Sequence, residues 1–93
     1  MSAVLNDLFA VILERQANAP PESYTARLFA AGEDEIVKKI GEEVVEVILA
    51  AKGQGNARLT AEVADLLYHV LVLLAERGLL WADVEEELER RRK

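Results

Sequence analysis

Two acidic pairs, Glu43-x-x-Glu46 and Glu62-x-x-Asp65, limit how this chain can fold. Both lie in stretches with helical periodicity. Residues three apart on a helix share a face, so each pair aims two carboxylates at one point. If the two helices pack antiparallel across the Gly53-Gln54-Gly55-Asn56 segment between them, four carboxylates converge. Such a cluster repels itself unless a cation sits within it, and hard oxygen donors suit Mg²⁺, with Mn²⁺ as a substitute.

The second of these helices is predicted over 59–77, ending at Gly78. Its apolar residues (Leu59, Val63, Leu66, Leu67, Val70 and Leu71 through Leu74) run nearly all the way round, which marks a helix buried on most sides. Glu62, Asp65 and His69 fall on one narrow arc of it, where carboxylates need compensation from inside the protein. The first helix is predicted over 34–52, with Ile36, Ile40, Val44, Val47 and Ala51 as one broad apolar face. Glu35, Lys38, Lys39, Glu42, Glu43 and Glu46 form the opposite stripe. Taken alone, that stripe also fits a solvated face with intrahelical ion pairs. The arc on the apolar helix is what turns the reading toward a metal site. Gly41, inside a helix where glycine costs about 1 kcal/mol relative to alanine, points to close approach by another chain or a ligand.

The remaining segments are also helical. Val4, Leu5, Leu8, Phe9, Val11 and Ile12 predict a helix over 3–17, with Ser2 as a candidate cap, and Pro20-Pro21 stops it. Ser23 or Thr25 opens a short helix through Ala31, closed by Gly32. A last helix is predicted over 82–91, with Val84 and Leu88 on one side and Arg90 through Lys93 at its end. No strand signal appears. The predicted fold is all-α: a helical bundle of four main helices plus a short helical turn, one domain over 1–93.

Composition narrows the function. A net charge of −6 argues against nucleic acid or an anionic membrane as the partner, but not against an anionic small molecule drawn to bound metal. The absence of cysteine excludes thiolate catalysis, disulfides and Cys-ligated zinc. No apolar run approaches the roughly 18 residues a membrane span needs, and the first residues lack the basic start of a secretory signal, so the expected location is cytoplasmic. Hydrophobic residues at 52% leave apolar surface to spare, which an oligomer would cover. A di-iron site would want Glu-x-x-His where Asp65 stands. His69, one turn after Asp65, is expected behind the site, bonded to that carboxylate. Lys38, Lys39 and Lys52 flank the acidic cluster and suit phosphate oxygens, with intrahelical pairing as the alternative for the first two.

Ser23-Tyr24-Thr25, the block Lys39-Ile40-Gly41-Glu42-Glu43 with Glu46, Ala51-Lys52, the run Glu62-x-x-Asp65-Leu66-Leu67-Tyr68-His69 and Val72-Leu73-Leu74 together resemble the phosphoribosyl-ATP pyrophosphohydrolases of histidine biosynthesis. The Glu-x-x-Glu…Glu-x-x-Asp pattern alone resembles only the wider MazG-like all-α nucleotide pyrophosphohydrolases. The resemblance implies a MazG-like bundle completed by dimerisation and hydrolysis of 1-(5-phosphoribosyl)-ATP to 1-(5-phosphoribosyl)-AMP and pyrophosphate. It further implies Mg²⁺ held by Glu43, Glu46, Glu62 and Asp65. Glu42 and Glu43 would be the catalytic carboxylates, Glu42 as an extra ligand or water-orienting base. On the substrate side it implies phosphate contacts from the lysines, while Tyr24, Thr25 and Arg27 hold the phosphoribosyl-adenine part. Two other readings compete: a housecleaning pyrophosphohydrolase of ordinary or damaged nucleoside triphosphates, and a non-catalytic helical interaction module.

Overall fold

The computed structural model describes residues 3–92, which form five helices: α1 (Ala3–Asn18), α2 (Tyr24–Ala31), α3 (Glu33–Gly53), α4 (Asn56–Glu76) and α5 (Trp81–Arg91). No strand occurs among the described residues. The all-α bundle expected from the sequence is what forms, and the short turn is a true α-helix of eight residues. Ser2, the candidate cap of the first helix, and Lys93 lie outside the described residues.

Local chemistry sets the corners. After α1 the chain turns through Ala19 at φ 45° and the two prolines, which cannot continue a helix. Ser23 then caps α2: its hydroxyl oxygen accepts the Ala26 N–H at 3.1 Å. Gly32, at φ 100°, closes α2 by donating its N–H to the Leu28 carbonyl and directly precedes α3. Its conformation disfavours any residue with a side chain. Glu33, Asp34 and Glu35 fill the first turn of α3, where the helix dipole favours anions.

α3 and α4 are joined by Gln54 and Gly55 alone. Gly55 takes φ 88°, and the Leu59 N–H already donates to its carbonyl at 3.0 Å. The helix therefore begins at Asn56, three residues before the predicted start, because a single glycine suffices for the reversal. At the far end Arg77 grips Glu33 with two hydrogen bonds, at 2.6 and 2.8 Å, tying the end of α4 to the start of α3.

α4 is the central element, packing on α1, α2 and α3. The core joins Phe9 and Ile12 of α1, Leu28 of α2, Ile36 of α3, and Leu71, Val72 and Ala75 of α4, with Trp81 against its edge. α3 departs from the expected pattern. The side turned inward carries Ile36, Ile40, Val47 and Ala50, while Val44 and Ala51 are exposed. Val37, Val44, Val45 and Ile48 form a second apolar stripe around Gly41, and Ile48 is 54% exposed. α3 is apolar on two faces, which is why a single-face reading of its sequence misplaced the boundary. A Cβ added at Gly41 would meet nothing within this chain, so any close approach there comes from outside it. Among the described residues no helix is long and apolar enough to cross a membrane.

Leu71 is fully buried, so Leu71→Ala is expected to lower unfolding free energy by about 2–5 kcal/mol in a urea titration. Ser23→Ala, which removes only a cap, should cost about 1 kcal/mol.

Candidate active site

Helices folded back through so short a turn lie level at positions equally far from it. Glu43 is eleven residues before Gln54 and Leu66 eleven after Gly55, so the arc bearing Glu62 and Asp65 meets Glu43. One carboxylate oxygen from each of Glu43, Glu62 and Asp65 lies within 4.8 Å of the others. Glu43 is thus on the side of α3 that faces α4 and not on a wet stripe. Its Oε2 is buried with no hydrogen-bond partner, a state shared among the described residues only by Trp81 Nε1. Burial pushes the Glu43 carboxyl above the usual carboxylate range, and the nearby charge of Asp65 pushes it further; Glu62 and Glu46 add to the effect, and His69 opposes it.

Glu62 is buried, at 6% exposure, and its partner is Arg58, whose Nη1 stands 3.3 Å away one turn earlier on α4. That distance is long for a charge-assisted bond, and the Arg58 side chain is 61% exposed, so it compensates little of the cluster's negative charge. Three converging carboxylates, one with an orphaned oxygen, are a donor set that fits a hard divalent cation. Glu46 lies outside this triangle on the exposed side, although Glu43 senses its charge. Glu42 is exposed and paired with Lys39 at 3.5 Å.

The three lysines do not all flank the cluster. Lys39 precedes Glu43 by one turn and shares its face. Lys38 and Lys52, five residues before Glu43 and nine after it, sit about 140° and 180° round the helix. Both are exposed, on sides of α3 turned away from Asp65.

α2 closes another side. The Tyr24 hydroxyl lies 2.8 Å from His69 Nε2, and His69 Nδ1 lies 2.7 Å from the backbone carbonyl oxygen of Asp65. His69 is thus tied to Asp65 through its main chain and not through the carboxylate that the sequence suggested. The carbonyl four residues back is the acceptor a helix places under an imidazole. Tyr24 is 42% exposed and stacks on Tyr68, and both rings meet His69 edge-on. Burial raises the Tyr24 phenol above its ordinary pKa; Lys39 opposes the shift, and Glu43, Glu35 and Glu42 reinforce it. Tyr24 is joined to the acidic cluster's helix through His69 and Tyr68. Thr25 is different: it is 8% exposed and its hydroxyl bonds Tyr68, so it fastens α2 to α4 and does not face a ligand. Arg27, one turn after Tyr24, is exposed.

Arg58 escaped the sequence reading because the predicted helix began at 59. Its spacing of four from Glu62 is the signal that would have found it.

An all-α fold whose central hairpin carries this carboxylate centre defines a MazG-like helical protein. Residues 5–92 match the family described as phosphoribosyl-ATP pyrophosphohydrolase. A phosphoribosyl-ATP pyrophosphatase of Pelotomaculum thermopropionicum is 56% identical over 90 residues, covering 97% of this chain and 92% of the relative. One of Pyrobaculum calidifontis is 52% identical over 90 residues, 97% of this chain and 96% of the relative. The histidine biosynthesis bifunctional protein HisIE of Bacillus subtilis is 51% identical over 88 residues, which are 95% of this chain and 42% of that longer protein. The chain belongs to the phosphoribosyl-ATP pyrophosphohydrolase family and is a hydrolase, which removes the interaction-module reading.

The strain in the cluster is testable without substrate. Glu43→Gln removes a carboxylate that folding buries beside other carboxylates, so in a chelator it should raise the melting temperature. The sign with pH follows from the raised pKa. The folded state holds the Glu43 proton more tightly than the unfolded state. Its destabilising effect is therefore absent well below pH 4.5 and grows as pH rises through the interval between the unfolded and folded pKa values. Melting curves of wild type and Glu43→Gln should converge in acid and separate above it.

Proposed function

We propose that this protein hydrolyses 1-(5-phosphoribosyl)-ATP to 1-(5-phosphoribosyl)-AMP and pyrophosphate, an early step of histidine biosynthesis in the cytoplasm, with Mg²⁺ as its cofactor. Supporting the cofactor is the buried, unpartnered Glu43 oxygen within reach of Glu62 and Asp65. Supporting the substrate are phosphoribosyl-ATP pyrophosphatases about half identical over nearly the whole chain.

Glu43, Glu62 and Asp65 would hold the cation, with Glu46 as the fourth carboxylate from the exposed side. When bound, a divalent cation supplies neutralisation of phosphate charge and a lower pKa for an attacking water. The chain's own residues do the rest. Arg58 holds the Glu62 carboxylate on its α4 side. Glu42, outside the buried trio, suits the role of base, taking a proton from water as the anhydride between the α- and β-phosphates breaks. Lys39 shares the face of Glu43 and supplies a phosphate contact, whereas Lys38 and Lys52 would reach phosphate only across a neighbouring chain. Tyr24 and Arg27 border the sugar–base part of the nucleotide.

The second apolar stripe of α3, with Val63 of α4, supports a homodimer. A second copy of this chain would cover the open space at Gly41. Ile48→Glu is expected to give a monomer by light scattering, and an unchanged dimer would place the interface elsewhere.

Pyrophosphate release should require Mg²⁺ and should be much faster from phosphoribosyl-ATP than from ATP or a panel of damaged triphosphates. Glu62→Ala and Asp65→Ala should lose at least a hundredfold in rate, about 2.7 kcal/mol of barrier, while circular dichroism stays helical. Preference for another triphosphate would make the protein a housecleaning pyrophosphohydrolase. Full activity in either variant would refute the ligand assignment.

A further inference from the structure

Arg58 is the only lysine or arginine on α4, and it lies on the carboxylate arc. At 100° per residue Arg58, Glu62, Asp65 and His69 fall within about 60° of one another. Arg58 donates through Nη1 to Glu62 Oε2 at 3.3 Å. A guanidinium carries its N–H donors in a fixed fork, and only this one is used among the described residues, on a side chain 61% exposed. The rest are left for a ligand.

Distance from the Gln54–Gly55 turn orders what the hairpin presents. Arg58 comes three residues after Gly55, Glu62 and Asp65 come seven and ten after it, and His69 fourteen. Glu43, eleven before Gln54, is level with the carboxylates of α4. At 1.5 Å per residue Arg58 and His69 stand about 16 Å apart along the helix axis, with the carboxylates between them. The His69 end is also the Tyr24 end, since the Tyr24 hydroxyl lies 2.8 Å from His69 Nε2. Lys39, fifteen residues before Gln54, is at that end too, while Lys38 and Lys52 are turned away. A nucleoside triphosphate has the same order along its length: base and sugar, then the scissile anhydride, then the terminal phosphates. With the sugar–base part beside Tyr24 and the anhydride at the carboxylates, the terminal phosphates run toward the turn. Arg58 is the cation that meets them there.

We propose that Arg58 binds the β- and γ-phosphates of the substrate, the half that leaves as pyrophosphate. The direction of the nucleotide along the hairpin rests on the functional reading above; the position of Arg58 on the arc does not. The chemistry agrees with it. Guanidinium and phosphate pair through two parallel hydrogen bonds, and an arginine stays charged at any working pH. The bond to Glu62 is long for a charged pair and occupies one nitrogen, so Arg58 can keep it and still meet a phosphate.

Product inhibition at saturating Mg²⁺ tests this, because the two products carry away the two halves of the substrate. Arg58→Gln should raise the inhibition constant of pyrophosphate about ten- to hundredfold, the worth of a hydrogen bond to a charged group, and leave that of 1-(5-phosphoribosyl)-AMP within about twofold. Arg58→Lys, which keeps the charge and loses the fork, should recover part of the difference. A residue that only steadied Glu62 would act through the cation that both products share. Equal weakening of the two products would therefore overturn the proposal, and so would a pyrophosphate constant that does not move. If the wild-type protein turned over no triphosphate, the functional reading would fall on its own. Calorimetric titration of pyrophosphate into the Mg²⁺-saturated protein would then decide the role of Arg58: tighter binding to wild type than to Arg58→Gln supports it, and equal or absent binding refutes it.

Discussion

Burying carboxylates beside one another is the constraint on which the rest of this structure depends. Glu43 and Glu62 lie at the contact between α3 and α4, where a well-packed hairpin would ordinarily place leucine or alanine. One partner, Arg58, stands at a long distance in solvent. Such an arrangement lowers the stability of the free protein and persists because the packing around it is strong: Ile36 on α3 and Leu71 and Val72 on α4 are fully buried. The Arg77–Glu33 fork and the Gln54–Gly55 turn close the two ends of the hairpin. Local packing rules are broken at this cluster, the kind of departure that functional sites show.

α2 plays a separate part. It is too short to be stable alone and is held by named polar contacts: the Ser23 cap, the Thr25–Tyr68 hydroxyl pair and the Tyr24–His69 bond. Two of these three anchors end on consecutive residues of α4, three and four places after Asp65. The same turn of α4 that presents Asp65 therefore positions α2. Strain at the carboxylate cluster and order in α2 share one stretch of backbone.

Much of this was legible in the sequence, for physical reasons that differ by element. α1, α3 and α4 announce themselves through apolar spacing near 3.6, and α2 through Ser23 and Gly32. The carboxylate arc of α4 stands out because its surroundings are apolar. The start of α4 was not legible, since a Gly- and Asn-bearing stretch permits a four-residue loop as readily as the two-residue turn that forms, and Arg58 was lost with it. Thr25 read as a ligand contact because nothing in eight residues says which side of a short helix faces inward. Val44 read as core because α3 carries apolar residues on two faces and one chain covers only one of them. Lys52 is a case where arithmetic was sufficient: nine residues from Glu43 is half a revolution, the same rule that groups the acidic pairs.

Whether the carboxylate cluster is a cation site is tested most directly by a thermal-shift titration with Mn²⁺ and Mg²⁺. Wild-type protein stripped of metal should gain stability along a saturating curve, as binding to the folded state alone requires. Asp65→Asn and Glu62→Gln should melt at or above the stripped wild type and gain little from either ion. A wild-type melting point indifferent to both ions, or an equal gain in the two variants, would contradict the assignment of Glu43, Glu62 and Asp65 as the ligands.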